Sequence, residues 1–189
     1  RIAAAVALGQ SLDSDRRPSH TQPPIAVAGS TRSAARMAMM LASAQMANAD
    51  SVTAVSTLKK ALSLKPDYVD AQAALVSLDV RAGRYVEAMQ IAQQVQRQAA
   101  KSAIGYFLEG DILMAEKKFP QAAKAYDTAY GIAKSGALAI KLHAAYTQAG
   151  KPDEADARLA QWLKESPDDA NARAYAGESG IKRGKYKEA

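Results

Sequence analysis

Cysteine is absent from the 189 residues, which removes disulfides, thiolate zinc sites and a thiol nucleophile from this chain. Only two histidines occur, His20 and His143, one in a proline-rich stretch and one at a helix packing position, so a histidine metal site is not expected. Aromatic residues are 6% of the total, and the hydrophobic 48% is dominated by alanine. That balance favours closely packed helices over sheets. No apolar run approaches the roughly eighteen residues a membrane-spanning helix needs. No phosphate-cradling glycine loop occurs, since the pairs Gly150-Lys151 and Gly184-Lys185 run on into Pro152 and Tyr186 without the upstream glycine. A nucleophile elbow is also missing. The near-consecutive carboxylates Asp153, Glu154 and Asp156 sit at a helix start, where the helix dipole favours them. These absences point away from an enzyme, a cofactor or a bound metal.

Charge of one sign is scarce as well. The net charge is +6, but residues 1–36 hold five arginines against two aspartates, and the other 153 residues are nearly balanced. A basic stripe able to track a phosphate backbone is therefore not expected, and charge gives no reason to expect a nucleic-acid partner.

What the sequence does contain is a period. The phrase RAGRYVEA at 81 returns as AEKKFPQA at 115, QAGKPDEA at 148 and KRGKYKEA at 182. Its marker residues Tyr85, Phe119, Pro152 and Tyr186 are spaced 34, 33 and 34 apart, and Ala54, Ala88, Ala122, Ala155 and Ala189 keep the same rhythm. A fixed period in this range signals stacked supersecondary units. Each unit divides into two helices. Ala74, Leu75, Leu78 and Ala82 follow a 3.6-residue period up to Gly83, and Tyr85, Ala88, Met89, Ala92 and Val95 start a second run. Pro120 and Pro152 stand where a second helix begins and Pro66 and Pro167 where one ends.

Tyr106, Gly110, Phe119, Ala122, Tyr126 and Ala129 give residues 103–135 a close resemblance to the tetratricopeptide repeat (TPR) family. The chain departs from the family pattern at Val76 and His143, where glycine is usual in the first helix, and at Lys117, where the turn glycine is usual. The resemblance implies an all-α fold, a right-handed solenoid of stacked antiparallel helix pairs with about four and a half repeats. Units are expected at 35–68, 69–102, 103–135, 136–169 and from 170, the last cut short within its second helix. Residues 1–34 are expected to lie outside the array. RIAAAVAL at 1–8 reads as a short helix packing on the first unit, and residues 9–34, with Pro18, Pro23 and Pro24, read as a linker. His143 and Trp162 are expected in the core.

In TPR proteins the first helices line a concave groove, and the family's groove places can be carried over. The resulting partner groove is Met39, Met46, Ala73, Ser77, Val80, Phe107, Asp111, Met114, Ile140 and Thr147. Family members that grip a C-terminal carboxylate use a lysine and asparagine clamp. Here the fifth places are Met39, Ala73, Phe107, Ile140 and Ala174, and no such clamp can form. A groove of Met, Phe, Ile and Val suits an amphipathic helix or an extended apolar segment. The implied function is a non-enzymatic scaffold for a protein or peptide partner. The alternative from another class is a regulatory or substrate-recognition segment of a larger enzyme, such as a glycosyltransferase. The stretches 101–136 and 148–173 also resemble the TPR lipoproteins associated with PEP-CTERM/exosortase sorting and exopolysaccharide production. That resemblance implies a bacterial periplasmic or outer-membrane location, with membrane association only through a lipid anchor outside this chain; the alternative location is cytoplasmic. Tyr175, Ala176 and Ile181 would lose their cover at the cut end, where fraying or self-association is expected.

Overall fold

A computed structural model describes residues 25–182, and the described residues form nine helices and no strand. They run α1 (Ile25–Ala47), α2 (Ser51–Leu64), α3 (Val69–Arg81), α4 (Tyr85–Gln98), α5 (Ile104–Ala115), α6 (Phe119–Ile132), α7 (Gly136–Gln148), α8 (Pro152–Glu165) and α9 (Ala170–Lys182). Helices pair in order, α1 with α2, α3 with α4, α5 with α6 and α7 with α8, and each pair packs on the next. The segment 1–8, the three prolines of the linker, Tyr186 and Ala189 lie outside the described residues.

One boundary differs from the sequence expectation. Helix α1 begins at Ile25, so residues 25–34, read as linker, are helical. The physical reason is that all three prolines precede Ile25. Between there and Ala34 Gly29 disfavours a helix most, at a cost of about 1 kcal/mol relative to alanine.

Each pair is closed by the same turn. The first helix ends in a left-handed residue at Ala49, Gly83, Lys117 and Gly150, with φ of 58°, 72°, 61° and 79°. Two backbone hydrogen bonds seal every case. In the second pair the Gly83 N–H donates to the Val80 carbonyl at 3.0 Å and the Arg84 N–H to Asp79 at 2.8 Å; in the third, Lys117 donates to Met114 and Lys118 to Leu113. This is the Schellman arrangement, which satisfies carbonyls left over at a helix end. Lys117 therefore adopts the glycine conformation without being glycine.

The pairs are held close by small residues. Ala54, Ala88, Ala122 and Ala155 are all fully buried, one per second helix. A second contact balances volume: Gly110 of α5 lies so close to Tyr126 of α6 that an added Cβ would stand 2.3 Å from the ring. In other units the bulk is divided differently. Val76 shares a cluster with Ala92, and Ala42 shares one with Leu58. These choices explain how Val76 fits where the family prefers glycine.

His143 is 1% exposed, with Nε2 3.1 Å from Asp156 and Nδ1 3.0 Å from the Tyr175 hydroxyl. It joins α7, α8 and α9. Trp162 is half-buried beside Leu159 and Ala172, and its indole N–H donates to Asp169 at 2.9 Å. Asp169 also accepts from the Ala172 N–H at 3.0 Å at the start of α9. These hydrogen bonds hold the carboxyl below the usual range, the backbone bond foremost.

The turn conformation makes a paired prediction. Lys117→Gly should stabilise the protein and Gly83→Ala should destabilise it, each by about 1 kcal/mol, because an L side chain in the left-handed region is strained by that order. Urea midpoints of the two variants should move in opposite directions from wild type. Movement in the same direction would contradict the turn assignment.

Candidate interaction face on the first helices

The ten residues expected in the groove fall on α1, α3, α5 and α7. Ser77 is exposed and the other nine are half-buried. The apolar ones form the open margins of four successive core clusters. Met39 and Met46 edge the cluster of Ala42, Leu58 and Leu75. Ala73 and Val80 edge that of Val76, Leu108 and Ile112. Phe107 and Met114 edge the cluster containing Tyr126 and Leu142, and Ile140 edges the one containing Ala139 and Leu159. Apolar surface half-buried at one cluster thus continues to the next along the array.

Phe107 has a double role. Its ring meets Tyr126 edge-on, with centroids 6.1 Å apart and planes at 60°, so one edge is core. The Lys141 ammonium of α7 lies 5.5 Å from the Phe107 centroid and bonds Asp111 of α5 at 2.7 Å. Asp111 also accepts from the Tyr126 hydroxyl. The carboxylate is thus occupied in joining α5, α6 and α7. Thr147 presents a buried hydroxyl oxygen with no hydrogen-bond partner.

Beside Phe107 lies an open depression of about 550 Å³, lined by Lys101, Ile104, Phe107, Ala133, Ser135 and Leu138 among others. Lys101, Ala133, Ser135 and Lys141 were not reached by carrying over groove places, because three of them sit at or near the loops between pairs. A larger cleft, of about 680 Å³, lies against α2 and α4 and includes Val52, Val55, Lys59, Arg84, Glu87 and Ile91. Val52 (85% exposed) presents an apolar side chain to solvent there, on a second helix outside the family's groove places.

The seams are fastened by phenols and carboxylates. The Tyr146 hydroxyl of α7 donates to Asp127 of α6 at 2.5 Å, and Arg158 of α8 bonds the other oxygen of Asp127 at 2.5 Å while lying 4.8 Å from the Tyr146 centroid. Burial, then the hydrogen bond to Asp127, pushes the Tyr146 phenol up to about 12. Burial and the bond to Asp111 push Tyr126 further still. Among the described residues no group of three His, Asp or Glu side chains is placed to hold a metal ion. No helix among them is long and apolar enough to cross a membrane.

Comparison with known proteins agrees with this architecture. Residues 45–108 match the family model described as tetratricopeptide repeat. The fold is similar to a thermophilic TPR protein of Thermus thermophilus, with 18% identity and a TM-score of 0.67 over 82% of this chain and 86% of that one. It is similar to PilF of Pseudomonas aeruginosa, with 17% identity and a TM-score of 0.68 over 84% and 73% of the two chains. MamA of Desulfovibrio magneticus gives 17% identity and 0.60 over 72% and 78%. Sequence comparison with curated proteins finds no match. The helix pairs define an α-solenoid. Its fold is that of tetratricopeptide-repeat proteins, and residues 45–108 match the repeat itself.

The phenols set an alkaline limit on stability. An unfolded tyrosine ionises near pH 10, whereas Tyr126 and Tyr146 resist ionisation when folded. Their contribution is complete below pH 10 and is lost as pH rises through the folded values. The urea midpoint should therefore fall above pH 10. In Tyr126→Phe/Tyr146→Phe it should start lower, each lost hydrogen bond costing about 1 kcal/mol, and fall less steeply. Equal slopes for the two proteins would contradict this assignment.

Proposed function

We propose that this protein is a non-enzymatic scaffold that holds a helix or extended apolar segment of a partner protein against the α1, α3, α5 and α7 face. The observation that carries the reading is the run of half-buried apolar margins through four consecutive clusters. A partner burying that surface gains about 25 cal/mol per Å² before ordering costs. Phe107 and Met114 lie at the middle of the run. Central, already partly desolvated side chains of this kind dominate binding energy. The depression beside Phe107 would take an apolar side chain of the partner, with Lys101 at its rim. A place for such a scaffold in the bacterial envelope, in protein sorting or exopolysaccharide production, rests on the sequence resemblance alone. Cell fractionation tests it.

The binding face is tested with a photo-crosslinking residue at Ser77, exposed on α3, or at Val52, exposed on α2. Partner should be captured from Ser77 and not from Val52. With that partner, Phe107→Ala should weaken binding by at least tenfold, corresponding to about 1.4 kcal/mol or more, while far-UV circular dichroism shows a folded array. Capture from Val52 alone, or wild-type affinity in folded Phe107→Ala, would reject the face.

A further inference from the structure

One side of α1 carries a helix-packing surface that nothing among the described residues covers. Ala71, Leu75 and Leu78 of α3 cluster with Ala54, Leu58 and Ala61 of the preceding α2. Leu138, Leu142 and Ala145 of α7 cluster with Ala122, Tyr126 and Ala129 of the preceding α6. These register places thus receive a neighbouring helix in later repeats. Thirty-four residues upstream of the α3 set they fall on Met37, Leu41 and Ala44. There they are open: Met37 is 64% exposed, Leu41 55% and the adjoining Met40 65%, and Ala44 and Ala47 are exposed as well. Met39 and Met46 turn another way, to the margin of a core cluster. Met37, Met40, Ala44 and Ala47 keep the alternating three- and four-residue spacing of a two-helix seam, with Leu41 beside it. Charge frames the stripe. Residues 37–49 carry none, Arg36 stands just before them and Asp50 just after, both exposed and neither in an ion pair among the described residues. Asp50 caps α2 through one carboxylate oxygen, which accepts from the Thr53 N–H at 3.1 Å.

We propose that this stripe is an interface between two copies of the chain, α1 packing antiparallel on α1 about a two-fold axis beside position 42. The stripe complements itself in that sense. Met37 of one copy meets Ala47 of the second and Met40 meets Ala44, so bulk faces a small residue at each layer. The same exchange of volume seats Tyr126 against Gly110 within the array. Thioether side chains adapt to such shallow alanine seats. Leu41 lies beside the axis, against Leu41 of the second copy. Arg36 comes opposite Asn48 of the second copy, with Asp50 two residues further on and within an arginine's reach, once at each end of the seam. A parallel pair would instead set Met37 on Met37, Ala47 on Ala47 and Arg36 on Arg36, bringing bulk and like charge together. The antiparallel pair closes on itself, whereas head-to-tail stacking runs on as an open fibre. Residues 37–47 span roughly 16 Å of helix, which places the seam among small interfaces, below about 1,200 Å². The dimer is therefore reversible.

Sedimentation equilibrium of the full chain over roughly 1 to 100 µM should show a monomer–dimer equilibrium. Leu41→Asp, at an exposed position, should raise the dimer dissociation constant at least tenfold (about 1.4 kcal/mol) with unchanged far-UV circular dichroism. The absence of native cysteine makes the orientation readable with a short bis-maleimide. A mixture of Met37→Cys and Ala47→Cys should give about tenfold or more cross-linked dimer than either variant alone. Val86→Cys, exposed on α4, should give no more than those single variants. Three results overturn the proposal: monomer alone at 100 µM, Met37→Cys joined to itself as readily as to Ala47→Cys, or species that grow beyond the dimer with concentration. The second would mean a parallel pair and the third head-to-tail stacking.

Discussion

Everything in this array depends on how closely two helices of a pair can approach at one crossing. A second helix settles onto its first helix only where the contact residue has almost no side chain, and Ala54, Ala88, Ala122 and Ala155 meet that condition with no exposed surface. Around the fixed crossing, volume is exchanged between partners. Glycine at 110 admits the ring of Tyr126, while Val76 is accommodated by Ala92 and Ala42 by Leu58. The sum of bulk across each seam, not the identity of one residue, is what close packing constrains.

The energetic weights follow. Burying a Leu-sized side chain stabilises by about 1.5 to 3 kcal/mol, whereas a solvent-exposed ion pair contributes about 0 to 1 kcal/mol. The exposed pairs such as Lys134–Glu165 and Lys182–Glu178 are thus decoration on a hydrophobic stack. Inter-helix polar contacts near the core act differently. Asp111, held by Tyr126 and Lys141, and Asp127, held by Tyr146 and Arg158, join consecutive helices and fix the angle between neighbours. The same links bring Phe107 and Lys141 together on the proposed binding face.

Much of this was legible because the period is a physical necessity. The turn at Gly83 and Gly150, the small residues at the crossings and the burial of His143 all follow from a unit that must repeat to bury its faces. The start of α1 is not legible from the prolines, because Pro18, Pro23 and Pro24 mark where a helix cannot extend and carry no signal for the residues after them. Lys117 hid a turn that its neighbours determine. The family's groove places lie on first helices and so do not include Lys101 and Ser135 at the loops or the cleft beside α2 and α4. The contact of Phe107 with Tyr126 ties the candidate face to the core.

Each helix pair is stabilised by its immediate neighbours, so local stability is set by position in the stack. Native-state hydrogen exchange on the full chain tests this most directly. Protection should be greatest in the central helices α4 to α6 and fall towards both ends of the described array, since end units have fewer packed neighbours. Equal protection of α5 and α9, exchanging together through one global unfolding event, would contradict it.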